Sequence, residues 1–152
     1  MVWGAGILAP FLAPFSEARA ATDNQLAVNA TTGLAISGFD PVAYFTEGKA
    51  LFGRAEFELN LEGSVWRFNN EGNRGAFEKN PEVYAPQFGG YDPVDVARGV
   101  TVAGNPLFWL VVGQRLYLFS RTENRDAFAA NPAPFMKEAV MKWPALEDKL
   151  AQ

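Results

Sequence analysis

The chain has 152 residues, 49% hydrophobic and 14% aromatic, with a net charge of −4 and a pI near 4.8. This is one domain's worth of chain with ample core material, and its acidity and lack of a basic run argue against nucleic acid or an anionic membrane surface as partner. It holds neither Cys nor His, which removes disulfides, thiolate nucleophiles, Ser-His-Asp catalysis, Cys/His zinc sites and His-ligated haem, and restricts any metal to a hard, oxygen-bound ion.

In chain order, Val2–Phe15 is apolar but too short to span a bilayer, which takes about 20 apolar residues. Ser16-Glu17 and the small-x-small run Ala18-Arg19-Ala20 follow. Residues 1–20 therefore read as a signal peptide cut before Ala21, which implies a periplasmic or secreted protein with no membrane span after cleavage. No Lys or Arg precedes the apolar stretch, and its removal leaves the net charge at −4. Residues 21–35 are polar and turn-rich and read as a flexible leader; within them Asn29-Ala30-Thr31 is a formal glycosylation acceptor.

Gly38-Phe39-Asp40-Pro41-Val42 opens the ordered part. Asp40 suits an N-cap and Pro41 the first helical position, so a short helix is expected over Pro41–Thr46, ending near Gly48. Phe57, Leu59 and Leu61 alternate with polar residues as in a half-buried strand, Glu62-Gly63-Ser64 turns the chain, and Val65–Phe68 returns. Asn69 or Asn70 caps a helix with Phe77 facing inward, stopped at Asn80-Pro81. Gly90-Tyr91-Asp92-Pro93-Val94 then restarts the plan, with a helix over Pro93–Ala97 ended near Gly99. Leu107–Val112 is apolar on both faces, so this strand is expected to be covered on both sides and to lie more centrally. Gly113-Gln114 turns and Arg115–Phe119 returns. Ser120-Arg121-Thr122-Glu123 has the pattern of a capping box with Ser120 as N-cap. Phe128 faces inward and Asn131-Pro132 stops that helix. Phe135–Lys142 reads as a further short helix broken at Trp143-Pro144, leaving residues 144–152 as a C-terminal tail with a helical turn or two.

These elements come in duplicate. Gly53–Tyr84 overlays Gly104–Phe135 at a constant shift of 51 residues: Gly53 on Gly104, Phe57 on Phe108, Asn73-Arg74 on Asn124-Arg125, Asn80-Pro81 on Asn131-Pro132. After a one-residue slip Gly38–Val42 matches Gly90–Val94. A fixed internal period outranks other sequence signals. The copies span residues 38–84 and 90–135, and one copy alone buries too little surface to fold well. The expected fold is α+β: two tandem helix–hairpin–helix copies forming one pseudo-symmetric domain, with an antiparallel sheet and helices packed on it.

Ile36–Phe45, Glu47–Ala50, Gly53, Trp66-Arg67-Phe68, Asn73–Phe77, Asn80-Pro81 and Tyr84–Tyr91 together resemble the YHS domain family, over roughly residues 36–143. The closest likeness is to its secreted bacterial branch, single-domain proteins with a signal peptide. The resemblance implies a small α+β module similar to cysteine-using metal-handling domains, and a metal-binding or metal-sensing role. Many exported members carry Cys directly after the Gly-Gly-Tyr block; Asp92 stands there in this chain, which puts thiolate binding out of reach.

The candidate site residues follow. Asp40 and Asp92 read first as helix caps. Asp92 with Asp95 offers two carboxylates to a hard cation such as Ca²⁺, although such an ion needs six to eight oxygens. Arg74 and Arg125 read as salt-bridge partners, or as a pair of guanidinium forks on an anion. Tyr91 sits at the junction of the copies. A ligand module is expected to have a pocket between the copies lined by Tyr44, Arg74, Tyr91 and Asp92. No nucleophile–base pair or phosphate-loop spacing is present, so no enzyme activity is expected. The first reading is an exported, non-enzymatic binding module for a metal ion or small ligand. The alternative is a structural or protein-interaction module without metal.

Overall fold

Residues 27, 28 and 32–152 are described by the computed structural model. The signal peptide, most of the leader and the Asn29-Ala30-Thr31 acceptor lie outside the described residues.

Asp92-Pro93 and the Asn-Pro steps set helix boundaries, whereas the first α-helix begins at Ala43 with Val42 at its cap, two residues past the expected start at Pro41. In the first half a tight helical turn, Ile36–Gly38, leads to α1 (Ala43–Thr46), the hairpin β1 (Arg54–Leu61) and β2 (Ser64–Phe68), then α2 (Glu71–Lys79) and α3 (Pro81–Tyr84). In the second half the turn Gln87–Gly90 leads to α4 (Pro93–Ala97), β3 (Asn105–Val112), β4 (Arg115–Phe119), α5 (Thr122–Ala130) and α6 (Pro132–Leu150). Asn70 caps α2 by accepting from the Asn73 amide, and Asp92 caps α4 from the amides of Val94 and Asp95. Asn80 and Asn131 leave helical dihedrals ahead of their prolines. The same prolines then start α3 and α6 at N1, a restart the sequence pattern did not suggest for α3.

The protein is α+β, but its strands form two separate two-stranded antiparallel sheets and not one shared sheet. The outer edge of β2 is occupied instead by Gly33–Ala35: the Ala35 amide donates to the Val65 carbonyl (2.9 Å) and the Val65 amide to Gly33 (3.2 Å). Of the stretch 21–35, the described residues Ala27 and Gly33–Ala35 thus make contacts with the fold. Ala35 is fully buried, and the Ala27 amide donates to the Gly89 carbonyl at 2.8 Å.

Both ladders carry an irregularity at the same place. Arg54 pairs with Phe68 and Glu58 with Arg67 in the first; Asn105 pairs with Phe119 and Trp109 with Leu118 in the second, each 51 residues on. Just ahead of each ladder a glycine lets two backbones meet. A Cβ on Gly53 would lie 2.3 Å from the Arg67 carbonyl carbon, and one on Gly104 would lie 2.5 Å from Leu118 Cβ. Their amides donate to Gly38 and Gly90, each at 2.8 Å.

The main core cluster draws on both halves: Phe39, Val42, Tyr44, Trp66, Phe68 and Phe77 pack with Leu116 and Leu118. Tyr117 and Phe119 point the other way, into a cluster with Val94 and Phe128. So β4, not β3, is the strand buried on both faces. The residues of β3 touch both clusters but stay half-buried, and Leu107 is 56% exposed. With only one neighbour, β3 remains an edge strand.

Two further expectations are corrected. Ser120 does not cap α5: the cap position is Arg121, without a side-chain cap bond, because the Ser120 hydroxyl is engaged elsewhere. Pro144 does not break the last helix, and residues 144–152 are not a detached tail. α6 runs through Pro144 because Ala139 is buried against Val96 and Ala97, with Phe135, Trp143 and Leu146 packed around them. Burial of that face outweighs the backbone hydrogen bond that proline removes, a loss of about 3 kcal/mol in an isolated helix. The Lys142 ammonium also donates to the Ala97 carbonyl at 2.6 Å, tying α6 to the end of α4.

Candidate functional site

Each half is pinned by one fully buried aspartate. One oxygen of Asp40 accepts from the amides of Val42 (2.8 Å) and Ala43 (3.3 Å). The other accepts from the Asn69 amide (2.8 Å) and Asn73 Nδ2 (2.7 Å). Asp92 repeats this with Val94 (2.8 Å) and Asp95 (3.4 Å) on one oxygen, and the Ser120 amide (2.7 Å) and Asn124 Nδ2 (2.8 Å) on the other. A carboxylate suits this seat because every partner is a donor. The carboxylate joins the first turn of one helix to the strand end and helix that follow the hairpin. That is a structural junction, and more than the cap its sequence position suggested.

The second half carries a second buried carboxylate. Asp95 is 2% exposed and its Oδ2 lies 3.0 Å from the Ser120 hydroxyl, which also reaches Asp92 Oδ2 at 2.8 Å. The expected pair of carboxylates is therefore close in space. It does not fit a cation. Both Asp92 oxygens are filled by N–H and O–H donors, and Asp95 Oδ1 is held by the Arg98 guanidinium, which already supplies the balancing positive charge. Among the described residues no group of three or more Asp, Glu, His or Cys is placed to hold a metal ion. A hard cation wants six or more oxygens, and here it would have to displace donors that the buried carboxylates need.

The remaining expected site residues lie apart. Tyr44 is a core residue: its hydroxyl donates to the Pro106 carbonyl at 2.8 Å and its ring meets Trp109 edge-on at 5.1 Å, tying the first half to β3. Burial, and then the nearby Asp40 charge, push this hydroxyl well above the ordinary tyrosine range. Tyr91 is half-buried on Trp143, with ring centroids 6.1 Å apart, and burial raises its hydroxyl too. Arg74 is an exposed-face residue paired with Glu71 at 2.6 Å, and Glu71 raises its pKa through that hydrogen bond and charge. Arg125 pairs with its neighbour Asp126.

Among the described residues two cavities stand out, and neither is lined by Tyr44, Arg74, Tyr91 or Asp92. The smaller, about 120 Å³, does lie between the halves, among Ile36, Ser37, Gly90, Gly104 and Leu118. The larger, about 390 Å³, belongs to the first half alone. Leu61, Trp66, Phe77, Pro81 and Ala85 line it, with Glu62 and Glu82 exposed at its rim. Trp66 is 2% exposed, and its indole N–H has no acceptor. It is the one buried side-chain polar atom left unsatisfied among the described residues.

Sequence reasoning missed this cavity, although the duplication held a signal for it. At the shift of 51 residues Ala85 corresponds to Met136, and Pro86 to Lys137. In the second half α6 continues past this point, and Phe135 and Met136 pack on the cluster of Val94, Tyr117, Phe119 and Phe128. In the first half Pro86 forces Ala85 into an extended conformation (φ −64°, ψ 142°) and α3 stops at Tyr84. Tyr84 turns to Phe45 instead, at 5.4 Å, and among the described residues nothing takes the place of Met136.

Comparison with family models, curated proteins and solved structures gave no match for this chain.

Proposed function

We propose that this chain is an exported, non-enzymatic, YHS-like binding module whose ligand is a small organic molecule and not a metal ion. On this reading the two helix–hairpin–helix copies form one pseudo-symmetric unit in which the second copy is closed and the first keeps a ligand seat. The observation that carries the reading is the 390 Å³ apolar cavity lined in part by Trp66, a residue whose buried indole N–H is unsatisfied. Such volumes are ordinary for small-ligand sites, which are mostly apolar with a few polar groups. A buried donor without a partner costs about 1–3 kcal/mol, a cost that a bound acceptor removes.

Export and the absence of catalysis rest on the signal-peptide pattern and on the lack of a nucleophile–base pair. The test is to purify the cleaved protein from a periplasmic fraction without chelator or metal resin. The extract is then analysed for elements and for small organic molecules by mass spectrometry. The expected result is substoichiometric metal and a co-purifying organic compound. Metal at one equivalent per chain overturns the reading.

A further inference from the structure

Resting on that reading, the geometry points to a neutral ligand with a hydrocarbon or aromatic body and one hydrogen-bond-accepting oxygen, seated where the second half places Met136. The second half serves as an internal reference. Its Tyr117 and Phe128 rings lie 5.0 Å apart, as Trp66 and Phe77 lie 4.7 Å apart, and the unbranched side chain of Met136 packs against the cluster that holds Tyr117 and Phe128. The first half has the same aromatic floor, lacks that side chain because Ala85 stands in its place, and has an indole where the second has a phenol. The occupant must therefore be apolar along its length.

Its polar atom is set by what is left over. Trp66 lines the cavity, and its buried Nε1 is a donor only, so a ligand that shifts the ring enough to reach it presents an acceptor. Its charge is set by the rim. Among the described residues Glu62 and Glu82 have no ion-pair partner there; the nearby Arg115 guanidinium sits on the Glu82 carbonyl at 3.5 Å and offsets only one of them. A net negative rim over an apolar cavity repels a carboxylate or phosphate. A ketone, aldehyde, ester or alcohol on a hydrocarbon body meets all three conditions.

The test titrates the full mature chain with acetophenone, ethylbenzene and benzoate, three probes of one size, and follows the indole N–H resonances by NMR, with Trp66 assigned through Trp66→Phe. Acetophenone is expected to bind at least about tenfold more tightly than ethylbenzene, the value of one good hydrogen bond, and to shift the Trp66 N–H. Trp66→Phe is expected to lower acetophenone to the affinity of ethylbenzene. Ala85→Met, which supplies the residue of the second half, is expected to abolish binding of both while keeping the fold. Ethylbenzene binding as tightly as acetophenone, or benzoate binding more tightly, overturns the ligand class and leaves the cavity reading standing. Failure of all three probes to bind, or unchanged binding in Ala85→Met, overturns the ligand seat and the proposed function with it.

Discussion

Asp40→Asn separates a cap from a junction. Asn caps helices as well as Asp does, so a residue that only capped α1 would tolerate the change. Here the two carboxylate oxygens accept from four donors: the amides of Val42, Ala43 and Asn69, and Asn73 Nδ2, at 2.7–3.3 Å. An amide has one acceptor oxygen. Whichever way it turns, its NH₂ faces two N–H groups, at least one of them backbone and unable to move away. Asp40 is 0% exposed, so water does not replace the lost acceptor. Two buried donors left unpaired at about 1–3 kcal/mol each give an expected loss of about 2–6 kcal/mol, a large share of the 5–15 typical of a domain. Urea unfolding followed by Trp fluorescence, read as a change in midpoint at constant slope, measures it. Asp40→Asn should be nearly as damaging as Asp40→Ala. A value within about 0.5 kcal/mol of the parent chain would refute the four-donor argument and return Asp40 to a simple cap.

Further outcomes are expected elsewhere. Gly104→Ala drives a Cβ to 2.5 Å from Leu118 Cβ and 2.7 Å from the Gly90 carbonyl oxygen, and should cost at least about 2 kcal/mol, whereas Gly75→Ala, in α2 with nothing within 4 Å, should gain about 0.5–1 kcal/mol in the same urea assay. Arg98→Thr leaves Asp95 buried without its cation and should cost about 1–3 kcal/mol, a range discounted because Arg98 is 56% exposed. Adding Asp95→Ala gives the pair found in the first half, Ala43 and Thr46, and a double-mutant cycle should recover most of the loss. Tyr44→Phe should change the alkaline limb of stability. The unfolded chain loses the Tyr44 proton near pH ~10 while the folded hydroxyl holds it to higher pH, so this group's contribution is present below pH ~10 and lost above it. Thermal melts above pH ~10 should fall less steeply with pH in Tyr44→Phe than in the parent, and an identical slope would refute the role of Tyr44 burial.

Much of the local structure was legible in the residues because it depends on neighbours a few positions apart. The Asp92-Pro93 step set the start of α4 over Pro93–Ala97, and Asn70, one of the two caps the sequence offered, caps α2. Alternation along Phe57, Leu59 and Leu61 located β1, and the turn residues Glu62-Gly63-Ser64 and Gly113-Gln114 located the two hairpins. What escaped the sequence was decided by groups distant along the chain. Gly33–Ala35 took the edge of β2, so the hairpins did not join. Asp92 and Asp95 drew the Ser120 hydroxyl away from capping α5, because a buried carboxylate outbids a helix amide that water can satisfy. Packing of Ala139 on Val96 carried α6 through Pro144. The cavity beside Trp66 was hidden for the same reason: a void is the absence of a side chain from another segment, and only the folded chain shows that Met136 has no counterpart over Phe77. Periodicity and turn chemistry therefore determined the elements, while which donors, edges and hollows were left over was settled by tertiary contact, where the unsatisfied Trp66 N–H and its apolar cavity arise.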